Sequence, residues 1–161
     1  MKFSFASKYG RKPCSDPKIK RLTRTISRPP RVYEVRDIRA EPSGKKYVGN
    51  TNYRKKEIYI DKTLTDKQKQ QTVAHEVAHF KLREKGFSPS RFGKDVKNEL
   101  RRTKIYHSLK QQGYQNKKIP EEAFANYYMQ LKTGSKASLQ KLKQFERKYP
   151  SVARTFSKLA K

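Results

Sequence analysis

The chain has 161 residues, 33% hydrophobic and 34% charged, which suits one domain with a modest core and solvated extensions. Its 41 Lys and Arg against 14 Asp and Glu give a net charge of +27, pointing to a polyanionic neighbour such as nucleic acid, to an acidic substrate, or simply to a strongly solvated surface. One cysteine excludes an internal disulfide framework and fits a reducing cytoplasm, and no run of about 20 apolar residues is present to span a bilayer.

The first residues, Met1-Lys2-Phe3-Ser4-Phe5-Ala6, lack the continuous apolar run of a signal peptide. Residues 1–31 are rich in Lys, Arg, Ser and Pro without a sustained period, and read as a basic, largely flexible arm ending at Pro29-Pro30. The single thiol, Cys14, falls inside it and reads as a free cysteine in a loop. Three strand-like runs follow, at 32–38, at 46–50 and at 57–61, and imply a small antiparallel or mixed sheet. An exposed edge of such a sheet would bind an extended peptide by strand addition.

The most informative stretch is 65–86. Thr65 with Gln68 makes a capping-box pattern, and Gly86 after Arg83 and Lys85 makes a C-terminal stop, so the segment reads as one helix. At its centre is His75-Glu76-Val77-Ala78-His79. Residues four apart lie about 40° apart round a helix and roughly 6 Å along it, so both imidazoles leave one face and can grip one metal ion. Glu76, one step round, suits a general base that takes a proton from water. With three His and nine Glu in the chain, about three such motifs are expected per thousand random sequences of this composition.

Beyond Gly86, a helix is expected over 95–112 from the spacing of Val96, Leu100, Ile105 and Leu109. After a break at 113–118, Pro120 opens a second helix that runs to about 132. A catalytic zinc site needs a third protein ligand. Cys14 and His107 both qualify by residue type, but a glutamate on this later helix is more attractive. Glu122 is followed by the small Ala125 and by Asn126, which would allow close approach and an outer hydrogen bond, whereas Glu121 reads as an acid placed to suit the helix dipole. Residues 135–161 carry an apolar stripe with basic flanks on either side of Pro150, and read as helices that pack on the core.

The pair His75-Glu76-x-x-His79 and Glu122-x-x-Ala125 resembles the gluzincin metallopeptidases. With Ile58-Tyr59-Ile60 and Asn126, residues 57–132 look like the ImmA/IrrE group of small regulatory metallopeptidases and are similar to the minigluzincins. That resemblance implies an α+β, zincin-like fold, with a small twisted sheet on the active-site helix and a second helix bearing a ligand. It implies one Zn2+ held by His75, His79 and Glu122, with Glu76 as base and later acid. Such an enzyme also needs a donor for the oxyanion of its tetrahedral intermediate, and His107 and Tyr114 are the candidates between the two helices. Tyr127-Tyr128-Met129 replaces the small residues expected after Asn126 in the ImmA/IrrE pattern.

Arg11-Lys12-Pro13-Cys14-Ser15-Asp16-Pro17 loosely resembles the cysteine-switch peptide of metalloprotease pro-segments, although its residue order departs from it. Latency through Cys14, or through residues 135–161 covering the cleft, follows as an expectation. The organisation expected is an arm (1–31), a metallopeptidase domain (32–134) and a basic helical segment (135–161). The expected function is zinc-dependent endopeptidase, acting as a cytoplasmic monomer on a protein or peptide substrate, with no membrane partner. The other expectation is a basic nucleic-acid-binding protein that uses the zincin-like fold as a scaffold or regulator, its ten Tyr and eight Phe available to stack on bases.

Overall fold

The computed structural model describes residues 2–4, 10–36, 38–41 and 45–161. Most of Met1-Lys2-Phe3-Ser4-Phe5-Ala6 beyond its central strand, and Asp37 of the first expected strand, lie outside the described residues. The fold is α+β, as expected. Its contacts divide the chain into two compact units, residues 1–77 and 78–161, with the division falling inside one helix.

The first unit holds the strands β1 (Lys2–Ser4), β2 (Lys12–Pro13), β3 (Arg31–Val35), β4 (Ile38–Glu41), β5 (Lys45–Tyr47), β6 (Gly49–Asn52) and β7 (Glu57–Asp61). They form a three-stranded sheet, β1-β4-β5, and a four-stranded mixed sheet, β2-β3-β7-β6. In the larger sheet β3 and β7 run parallel, and the outer pairs are antiparallel. The strands expected over 32–38 and 46–50 are therefore each broken in two. The chain leaves one sheet for the other after Val35 and again at Val48, which is exposed in the bend. The strand expected at 57–61 is β7, and it is buried from Glu57 to Ile60, as a central strand covered on both faces is.

Residues 1–31 contain more regular structure than their composition suggests. Helix α1 (Pro17–Thr23) is capped by Asp16, whose side chain accepts from Lys18 N at 2.7 Å, and it buries Ile19. Lys12 and Pro13 pair with Glu34 and Tyr33 of β3, and Cys14 N extends the ladder to Val32 O at 2.9 Å. Three aliphatic positions in 10–31 (Ile19, Leu22, Ile26) are too few to show a period, yet the first and third are almost fully buried.

Helix α2 (Asp66–Glu84) is the helix expected over 65–86. The capping box is present: Gln68 N donates to Thr65 Oγ1 at 3.4 Å, and Thr65 N donates to Gln68 Oε1 at 3.0 Å. At the other end Gly86 has φ 57°, its N–H bonds Arg83 O, and Phe87 N bonds Leu82 O, closing a Schellman motif. The first turns of α2 lie on the sheet face that carries Glu34, Ile58 and Ile60. Lys69 Nζ bonds Glu34 at 3.1 Å, while Gln70 reaches Asp16 at 3.0 Å.

The second unit holds the remainder of α2, then α3 (Lys94–Arg101), α4 (Lys104–Gln111), α5 (Ile119–Thr133), α6 (Lys136–Lys148) and α7 (Pro150–Ala160). The single helix expected over 95–112 is two. Thr103 is buried, donates to Leu100 O at 2.6 Å and accepts from Tyr106 N at 3.1 Å, so it ends α3 and caps α4. The five-residue step from Leu100 to Ile105 marks the same break. Helix α7 is part of the core: the Phe156 ring lies 5.5 Å from Phe124, 5.4 Å from Tyr127 and 6.1 Å from Phe92. Glu99 of α3 caps α7 by accepting from Ser151 N and Val152 N at 2.9 and 3.1 Å. The bulky Tyr127 fits because α7 supplies an aromatic wall and α6 supplies Glu146 to its hydroxyl at 2.7 Å, while the buried Tyr128 ring lies 6.1 Å from Phe124 of its own helix.

Candidate metal centre

Helix α2 presents His75 and His79 one turn apart. His79 is buried and His75 half-buried. Helix α5 begins one residue before Pro120, which fixes Glu121 and Glu122 in its first turn, where the dipole favours carboxylates. Ligand atoms of His75, His79 and Glu122 all lie within 4.8 Å of one another, the one such group of three among the described residues. His79 Nε2 stands 3.7 Å from Glu122 Oε1. Two ligands about 2.1 Å from a tetrahedral zinc are roughly 3.4 Å apart, so the spacing and the two-imidazole, one-carboxylate donor set both fit that ion.

Sequence reasoning missed what Glu121 does. Its Oε1 lies 3.2 Å from His79 Nδ1 and its Oε2 accepts from Lys118 Nζ at 3.2 Å. A carboxylate accepts only, so Nδ1 carries the proton of this contact, and Nε2 is the nitrogen that would bind a metal beside Glu122. The hydrogen bond from His79 is the main reason the Glu121 carboxyl falls to about 2; burial opposes it and Lys118 assists. A contact of this kind would orient His79 for a metal. No local pattern could have revealed it, because the partners are 42 residues apart.

Glu76 is half-buried, and one of its oxygens, Oε2, accepts from Thr51 Oγ1 at 2.5 Å. Thr51 was not singled out by sequence either. The register explains the contact: Gly49 and Thr51 of β6 face Ile60 and Ile58 of β7, on the side of the sheet where α2 lies. A Cβ on Gly49 would fall 2.3 Å from Thr72 Cγ2 and 3.5 Å from Glu76 Oε1, so glycine permits the approach of β6 to the helix.

None of the other candidates belongs to the group of three. His107 is exposed on α4, its ring edge-on to Tyr106, and does not belong to the group of three. Tyr114 follows α4, just after Gly113, and is 38% exposed. Cys14 is half-exposed beside β2 and outside the group of three, and burial, with Glu34 nearby, pushes its thiol up, away from the thiolate a metal needs. Asn126 lines a groove between α4, α5 and α6.

The model of the Peptidase M78 family, the IrrE N-terminal-like domain, matches residues 33–145. The chain belongs to this family. The match takes in both helices of the metal centre and assigns a metallopeptidase-type domain. No curated protein and no solved structure matches the chain. No helix of the described residues is long and apolar enough to cross a membrane.

Proposed function

We propose that this IrrE N-terminal-like domain is a zinc-dependent endopeptidase acting on a protein or peptide substrate in the cytoplasm. The observation that carries the reading is the convergence of His75 and His79 from α2 with Glu122 from α5, with Glu76 next to His75 and already held by a hydrogen bond. Bound zinc supplies a Lewis acid that polarises the scissile carbonyl and acidifies water. Glu76 takes a proton from the attacking water as its oxygen bonds to the carbonyl carbon, then returns that proton to the amine as the C–N bond breaks. His107 or Tyr114 donates to the developing oxyanion. Strand β6, outermost in the order β2-β3-β7-β6, offers its free edge to an extended substrate.

The test is peptide or denatured-protein cleavage by the zinc-loaded chain and by Glu76→Gln. Cleavage by the wild type, lost in Glu76→Gln with zinc still bound, is the expected result. Undiminished cleavage by the variant would overturn the mechanism.

A second reading draws on the charge. Helix α6 exposes Lys136, Lys141, Lys143, Arg147 and Lys148, a density of cations suited to a phosphate backbone. A monomeric peptidase held near nucleic acid by this surface combines both readings. Salt-sensitive DNA or RNA binding that survives zinc removal is its signature.

A further inference from the structure

The two oxygens of Glu76 are not equivalent. Oε2 accepts from Thr51 Oγ1 at 2.5 Å, while Oε1 lies against Gly49, where even a Cβ would sit at 3.5 Å. Both neighbours belong to β6, two residues apart, and the β6–β7 register turns both toward the helix. A glutamate side chain has three rotatable bonds, and a lone carboxylate on a helix surface samples several rotamers. A hydroxyl on a hydrogen-bonded strand fixes one oxygen and leaves the other as the acceptor for the proton.

We infer that Thr51 is a positioning residue for the reaction: it holds Glu76 by Oε2 so that Oε1 is the oxygen that receives the proton. The inference rests on the peptidase reading of the site. Its physical content is orientation, since a misplaced base loses rate without losing substrate affinity. Threonine suits the position because its branched side chain also favours the strand, with its hydroxyl rotor fixed by the partner.

The experiment has two arms on the full chain. The first is a double-mutant cycle in thermal stability, with Thr51→Val, Glu76→Ala (which removes both acceptor oxygens) and both together, each checked for zinc content. A hydrogen bond between the two residues makes the Tm shifts non-additive; additive shifts would overturn the contact. The second arm is kinetic. Thr51→Val is expected to lower kcat about 10- to 100-fold with KM nearly unchanged and zinc retained, and Thr51→Ser, which keeps the hydroxyl, to recover most of the loss. Wild-type kcat in zinc-loaded Thr51→Val, or a loss that Thr51→Ser does not repair, would overturn the positioning role. A folded, zinc-loaded wild type that cleaves nothing would overturn the peptidase reading and the positioning role together, whereas the stability cycle would still report on the contact.

Discussion

Glu121 holds His79 by Nδ1 at 3.2 Å, and its sequence neighbour Glu122 faces Nε2 of the same ring at 3.7 Å. Two adjacent acids on the first turn of α5 thus address opposite edges of one imidazole. One fixes the ring, and the other is placed where it could share a metal with it. The pair has different roles because consecutive helical residues diverge by about 100°.

Replacing Glu121 should therefore weaken the metal site without removing a ligand. Glu121→Gln keeps the shape and loses the charge, and zinc affinity is expected to fall about 10- to 100-fold. Competition against a chelator of known affinity measures it. Unchanged affinity in Glu121→Gln and in Glu121→Ala would reduce the contact to an incidental one.

Phe156 joins α7 to the core of the second unit through three rings. Phe156→Ala should cost about 3–5 kcal/mol of stability, read from denaturant midpoints. Deletion of residues 135–161 removes Phe156 and the amide groups that Glu99 caps, and should leave an unfolded second unit in place of an activated enzyme. A soluble, cooperative truncation with raised cleavage would instead support a detachable cover.

Asp16 gives the fold a small acid-sensitive element. Burial raises its pKa, but hydrogen bonds from Gln70 and from the Lys18 and Ile19 amides outweigh it, so the net shift is downward from 3.8. A depressed carboxyl stabilises the folded state above its unfolded value and loses that contribution as pH falls through the folded one. Thermal unfolding of Asp16→Asn should thus show less loss of Tm than wild type between about pH 5 and pH 2. Parallel curves would remove Asp16 from the acid response.

Local signals were readable, and distant ones were not. Helix α2 was legible nearly to the residue because Thr65, Gln68 and Gly86 act within one turn of its ends. His75, Glu76 and His79 needed only the helical period, and Glu122 needed only a second helix with small neighbours. Thr103, by contrast, looks like any polar residue in a helical run, although its hydroxyl ends one helix and starts the next. Thr51 became meaningful only through the pairing of β6 with β7. Cys14 stood out by being alone, yet its backbone merely lengthens an edge ladder. Tyr127, where the family's pattern has a small residue, is accommodated because Phe156 of α7 packs against it, a fact of tertiary structure that composition cannot carry.

The central claim is that His75, His79 and Glu122 share one zinc ion. Zinc per chain, measured side by side on purified wild type and Glu122→Ala with chelator competition for affinity, tests it most directly. One equivalent in the wild type is expected, with affinity in the variant reduced beyond the ~10–100-fold of an outer contact. One equivalent bound equally tightly by both proteins, or a folded wild type that binds none, would contradict the assignment.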